Sequence, residues 1–248
     1  RADDELLHTV ILTNDFEMTR TEVTVEQFET YTGYNPVQVN ITCMDCPVSN
    51  VTWHEAAAFT NTMSEFHGLE SCYSCDGEGV DVECSLAMDP YVCDGYRIAT
   101  EAEWEYAADA GQGFTYPGSD NPYEVGWFFE TSDHHTEPVG QLLANAWGFV
   151  DQGGNVREFV NDWYADYPPG VVTNPYTDVI EGGRPVERGA SYDCIPRHMR
   201  THTRYFHMNS DTLHPHNGPG SDWEYIRDDH TGFRIVRGLS NSLPARRF

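Results

Sequence analysis

GYRIATEAEWEYAADAG, residues 95–111, is the stretch whose reading decides the fold class. It is a short extended run followed at once by a helix. Thr100 is the N-cap, Glu103 occupies the third helical position of a capping box, and Gly111 is the stop. Toward the N-terminus, residues 9–25 alternate and close on TEVTV, which predicts strands. Thr24 then caps a helix over VEQFETY, with Gln27 completing the box and Phe28 and Tyr31 on one face. In SNVTWHEAAAFTNTMSEFHG, Trp53, Ala56, Ala57, Thr60, Met63 and Phe66 stand at helical spacing, with Thr52 as N-cap and Gly68 as stop. Toward the C-terminus, residues 112–144 are rich in Gly, Pro and aromatics and carry no period; irregular loops around Trp127, Phe128 and Phe129 are expected. Residues 155–165 read as a short strand or a turn of helix, and 184–193 and 231–237 as strands. Early helices followed by loops and short strands fit a parallel α/β fold poorly. The expectation is a loop-rich α+β single domain over residues 1–248, with no internal repeat and no dividing linker.

Composition bounds the function. Of the 248 residues, 39% are hydrophobic and 13% aromatic, enough for a sizeable core. No apolar run reaches about 18 residues, so no membrane span is expected. The net charge of −26 argues against nucleic acid or an anionic membrane as partner. All 14 basic residues are Arg, which excludes lysine Schiff bases and phosphate-loop lysines. A chain that opens on Arg1 is expected to have lost a leader segment.

Six of the seven cysteines, Cys43, Cys46, Cys72, Cys75, Cys84 and Cys93, fall in Gly- and Asp-rich loop sequence; Cys194 stands apart. Three disulfides of an exported protein are one reading. A zinc site from CMDC and CYSC is the other, although the 25-residue gap exceeds the usual about 15–20. Asn40-Ile-Thr42 and Asn50-Val-Thr52 match the glycosylation sequon.

Five ordered segments resemble the formylglycine-generating enzyme, or sulfatase-modifying factor, family: FEMTRTEVTVEQFETY, PVSNVTWHEAAAFTN, GYRIATEAEWEYAADAG, NAWGFVDQGGNVREFVNDWY, and the pair RGASY and TGFRIVR. They span Phe16 to about Arg237. The resemblance implies a fold related to C-type lectins. Family members include copper-dependent oxidases, iron-dependent sulfur-transfer enzymes and ligand-binding proteins, so the site must decide function.

In the oxidases two cysteines bind copper(I). The resemblance places the first at Cys194, three residues after the turn serine Ser191, and these are the catalytic candidates if the chain is an enzyme. The second cysteine position is Met199, before Arg200, and the active-site tryptophan position is Arg157. A thioether brings no charge and no exchangeable thiol, so formylglycine chemistry is disfavoured. His198 and His202, four apart, with Cys194 could hold copper, iron or zinc if that stretch were helical. His207, His214, His216 and His230 add to the imidazole-rich segment. The resemblance also implies a structural calcium, with Asp151 and Glu158 binding through carboxylates and Gly154 and Val156 through carbonyls.

Three functions follow. The first is an exported, non-catalytic binding or structural module, secreted, periplasmic or on the cell surface. Its recognition surface over about 190–230 would include Tyr192, His198, His202, Tyr205 and Trp223, and its ligand would be a protein, a small molecule or a glycan. The second is a metal-dependent oxidoreductase acting at Cys194. The third is an accessory subunit of a larger envelope assembly.

Overall fold

The computed structural model describes residues 8–36, 43–180, 183–206 and 227–239. Trp223, His207, His214, His216, Asn40 and the Arg-rich end at 245–248 lie outside them. Three helices begin where the sequence places them, and for one reason. Helix α1 (Val25–Thr32) starts on Thr24, α2 (Trp53–Phe66) on Thr52 and α3 (Glu101–Asp109) on Thr100. Each hydroxyl accepts from the backbone N–H three residues on, and Gln27, Glu55 and Glu103 accept in return from the cap's own N–H. Each cap contributes about 1 kcal/mol. Helix α3 ends one residue before the expected stop: Ala110 itself takes the left-handed conformation at φ 46°, and Gly111 follows at φ 70°.

The strands are short. They are β1 (Thr9–Ile11), β2 (Phe16–Met18), β3 (Tyr73–Asp76), β4 (Glu83–Leu86), β5 (Tyr96–Ile98), β6 (Gly126–Trp127), β7 (Gly153–Gly154), β8 (Arg157–Trp163), β9 (Val171–Thr173), β10 (Pro185–Arg188), β11 (Arg204–Phe206), β12 (Thr231–Phe233) and β13 (Ile235–Gly238). A four-stranded sheet has the order β11-β10-β8-β12, and a three-stranded one the order β2-β13-β5. Strand β8 is antiparallel to β10 and parallel to β12. Residues 155–165 are therefore strand rather than helix, and 231–237 divide at Arg234 into two strands serving different sheets. The loop stretch 112–144 holds one short helix, α4 (Pro122–Val125), and β6, which pairs with β7.

The core lies between the first two helices and the sheets. Phe28 and Phe59 stack at 5.4 Å, Phe233 meets Phe59 edge-on at 5.4 Å, and Trp53 meets Trp163 at 5.2 Å. Trp53 donates its indole N–H to the carbonyl of Val160 at 3.1 Å, fastening α2 to β8. Arg97 on β5 donates twice to Glu103, at 2.7 Å each, so the capping carboxylate of α3 is also the partner of a buried guanidinium. No described helix is long and apolar enough to cross a membrane.

Six cysteines pair as Cys43–Cys46, Cys72–Cys93 and Cys75–Cys84. This corrects the zinc alternative: the thiols of CMDC are spent on each other, and those of CYSC on Cys93 and Cys84. Cys75 and Cys84 face each other in the β3–β4 hairpin. Cys72–Cys93 closes a loop of sequence separation 21, from which Tyr73 and Val82 enter the main core. Removing it with the double variant Cys72→Ser/Cys93→Ser is expected to cost about 3 kcal/mol of unfolding free energy. Urea unfolding measures this; a loss below about 1 kcal/mol would mean the loop is held by other contacts.

Candidate functional site

The candidate residues gather beyond the end of β10. Gly189 and Ala190 turn the chain with φ 89° and 66°, after which Ser191 and Cys194 come together. Cys194 is the free cysteine of the chain and is partly exposed. Its sulfur lies 3.4 Å from the Ser191 hydroxyl. Behind it, Arg157 reaches Glu187 at 3.4 Å and Asp228 at 3.6 Å. Tyr205 donates its hydroxyl to the carbonyl of His198 at 2.9 Å. Burial first, and then Arg197 and Arg157, hold His198 below the usual histidine value, which favours its neutral form.

Met199, at the second-thiol position, is fully buried against Phe128 and Ala190. It occupies the space above Gly126, where an added Cβ would overlap its terminal methyl. The side chain is a core element of the cluster against which Cys194 and Tyr205 pack. Helical spacing for the histidines also fails. The chain makes a short 3-10 turn over Pro196–His198 and then turns again, so His202 points to Glu105, with Nδ1 and Oε1 2.9 Å apart. His198 meanwhile lies against Tyr205, ring centroids 5.9 Å apart. The expectation that Cys194, His198 and His202 converge is corrected on this ground, and the described residues contain no group of three or more metal-ligating side chains.

Tyr192 is buried rather than a free surface residue; its ring stacks on His230 at 4.9 Å. Sequence reasoning missed His134, which pairs with the exposed Asp193 at 3.0 Å, because nothing in its spacing points there. Asn50 of the second sequon donates its side-chain amide to the carbonyl of Pro36 at 2.6 Å.

The calcium set does not fit as the resemblance implied. Glu158 is fully buried and accepts from Arg234 at 2.6 and 2.7 Å and from the Trp104 indole at 2.6 Å. Both of its oxygens are occupied, and a guanidinium already supplies the positive charge. Asp151 accepts from the Gly140 N–H through one oxygen at 2.6 Å, while its other oxygen is buried without a partner. Glu22, which the sequence reading did not single out, is buried beside this group with both oxygens unpartnered. Burial, then the neighbouring Asp151, push the Glu22 carboxyl well above the usual carboxylate range.

Two outcomes are expected. The folded chain holds a proton on Glu22 that the unfolded chain has released, so stability falls as pH rises from the ordinary carboxylate range through the raised value. Glu22→Gln, a neutral isostere, should flatten that slope and raise the melting temperature at pH 8. A melting temperature of the parent that instead rises on adding calcium, with Glu22→Gln unresponsive, would mean a cation fills this space. Separately, Gly126→Ala should cost about 1–3 kcal/mol through overpacking against Met199 and the Gly153 carbonyl. Gly126→Ala should cost less in a Met199→Ala background than in the parent; thermal unfolding of the single and double variants checks both.

The sulfatase-modifying factor enzyme 1-like domain family matches residues 2–239. The chaperone protein LppX of Paenibacillus barcinonensis is 34% identical over 180 residues, 61% of this chain and 64% of its own length. The chain thus spans less than two thirds of that relative. Among solved structures, Treponema denticola variable protein 1 superimposes with a TM-score of 0.77 at 26% identity, over 93% of this chain and 86% of that one. CarF superimposes with a TM-score of 0.63 at 25% identity, over 91% and 87%. With its core, its caps and its turn at Ser191 laid out as above, and with one free cysteine in place of a pair, this chain belongs to the sulfatase-modifying factor enzyme 1-like family.

Proposed function

We propose that the chain is a non-catalytic binding module on this family's scaffold, working outside the cytoplasm. One observation carries the reading: the position of the second thiol is filled by Met199, and that side chain is sealed in the core over Gly126. Cys194 then has no partner thiol with which to hold a soft cation. Arg157, where the oxidases carry tryptophan, is tied to Glu187 and Asp228. What the face presents is a rim of half-buried aromatic and imidazole groups, Tyr205 and His198, with the exposed Asp193 and its partner His134. Aromatic bodies with small polar neighbours are a common recognition chemistry. Three disulfides support an oxidising compartment. The names of the relatives, a chaperone protein and a variable protein, support binding rather than turnover. The ligand class on this reading is a protein, with a glycan or small molecule as the alternatives.

Copper(I) competition against a chromophoric chelator tests it. The parent and Cys194→Ser are expected to behave alike, with no stoichiometric uptake by either, and to melt within about 2 °C of each other, as expected of a partly exposed surface change. Stoichiometric copper uptake by the parent that Cys194→Ser abolishes would replace this reading with metal-dependent oxidation at Cys194.

A further inference from the structure

Helix α3 borders both the core and a cavity. Its inner face buries Glu103, Trp104, Ala107 and Ala108. Glu101, also buried, is followed at four-residue spacing by the half-buried Glu105 and Asp109, with the exposed Tyr106 beside them. These residues form one wall of a cavity of about 1130 Å³. Strand β1 and the segment carrying Asp166 and Tyr167 line it as well. Sites for compact small molecules measure about 300–1,000 Å³, so this groove suits a length of chain.

Its chemistry is one-sided. Six carboxylates line it, Asp15, Glu101, Glu105, Asp109, Asp162 and Asp166, against a single arginine, Arg204. Glu101 is held by Arg188 at 2.9 Å and by Arg204 at 2.6 Å, and Glu105 by Arg188 at 2.7 Å and His202 at 2.9 Å. Asp162 is buried, accepts the backbone N–H groups of Glu101 and Thr177, and is pushed up to about 8 by burial and the Glu101 charge. That leaves Asp15, Asp109 and Asp166 on the rim; none of the three takes part in an ion pair among the described residues. The Asp109 carboxylate accepts the exposed N–H groups of Gly111 and Gly113.

Beside these charges stands an exposed aromatic pair. Tyr106 and Trp147 meet edge to face at 4.8 Å and are 53% and 46% exposed. Phe16 continues the row, 6.4 Å from Tyr106. Aromatic faces next to unneutralised carboxylates suit a guanidinium or ammonium on an apolar stem, because the ring takes the stem and the cation's face while the carboxylate takes its charge. The groove contains that arrangement once already: the Arg204 guanidinium lies 3.9 Å from the Tyr167 ring centroid while it pairs with Glu101. The chain's net charge of −26 would draw a cationic partner toward it.

We propose that this groove binds an extended polypeptide segment carrying arginine or lysine, at a site separate from the Cys194 face and independent of the reading given for that face. Calorimetric titration of the full chain with the peptide acetyl-(Gly-Arg)4-amide, and with its Gly-Glu counterpart, tests it. The arginine peptide should bind, more weakly as salt is raised, and the glutamate peptide should not. Tyr106→Ala/Trp147→Ala should weaken binding about tenfold or more, and Asp15→Asn/Asp166→Asn about fivefold. These four side chains are exposed or at the rim, and thermal unfolding checks that the variants keep the fold. Phe66→Ala, an exposed aromatic on α2 that does not line the groove, should leave binding unchanged. Absence of arginine-peptide binding, equal binding of the two peptides, or affinity untouched by both groove variants would overturn the proposal. So would self-association of the parent by light scattering that Trp147→Ala abolishes, which would assign the groove to a second copy of this chain.

Discussion

The pairing of Arg234 with Glu158, both side chains wholly out of water, is the interaction on which the rest of the structure depends. Arg234 separates β12 from β13 and so stands between the two main sheets. Its guanidinium also donates to the carbonyls of Thr19, Arg20 and Val150, drawing the first loop and the turn before β7 onto the same centre. Glu158 sits on β8 and accepts the Trp104 indole of α3. Removing one partner from such a pair costs about 3–5 kcal/mol, because the other is left charged and buried. A single contact thus ties both sheets, the third helix and two loops together in a fold with few long elements.

The same device recurs. Arg97 meets Glu103, and Arg188 meets Glu101 and Glu105, each guanidinium fully buried. A planar fork that keeps its charge and donates in two directions can satisfy two carboxylate oxygens at once, which a lysine ammonium does not do. The absence of lysine from the chain suits an interior organised this way. It also divides the acidic surplus into two populations. Glu101, Glu103, Glu105 and Glu158 are matched to arginines, and among the described residues those at the rim of the α3 groove are not. Burial without a matching cation explains why Glu22 and Asp151 hold protons more tightly than ordinary carboxylates.

The Cys194 face and the α3 groove lie on the two sides of one short segment, residues 194–204. His198 turns toward Tyr205 on one side, and His202 and Arg204 toward Glu105 and Glu101 on the other. Met199 between them is anchored in the core. The segment therefore behaves as a partition between two surfaces of different character, one imidazole- and aromatic-rimmed, the other acidic and aromatic.

The sequence by itself determined the first three helices, the strand-to-helix step at 96–109 and the family, because capping boxes and apolar spacing act over a few residues and need no knowledge of distant neighbours. It also exposed Met199 and Arg157 as departures. Only the tertiary structure decided what those departures mean. That Met199 fills a space left by Gly126, that Glu158 is held by Arg234 rather than left for a cation, and that His198 and His202 part company all depend on residues far apart in the chain. The disulfide pairing was open for the same reason, since six cysteines permit many connectivities and only the β3–β4 register and the closure of Cys72 on Cys93 select one. Glu22 and the α3 groove had no local signal at all: a carboxylate without a partner, and a rim of aspartates with no ion pair among the described residues, exist only once the fold has assigned the arginines elsewhere.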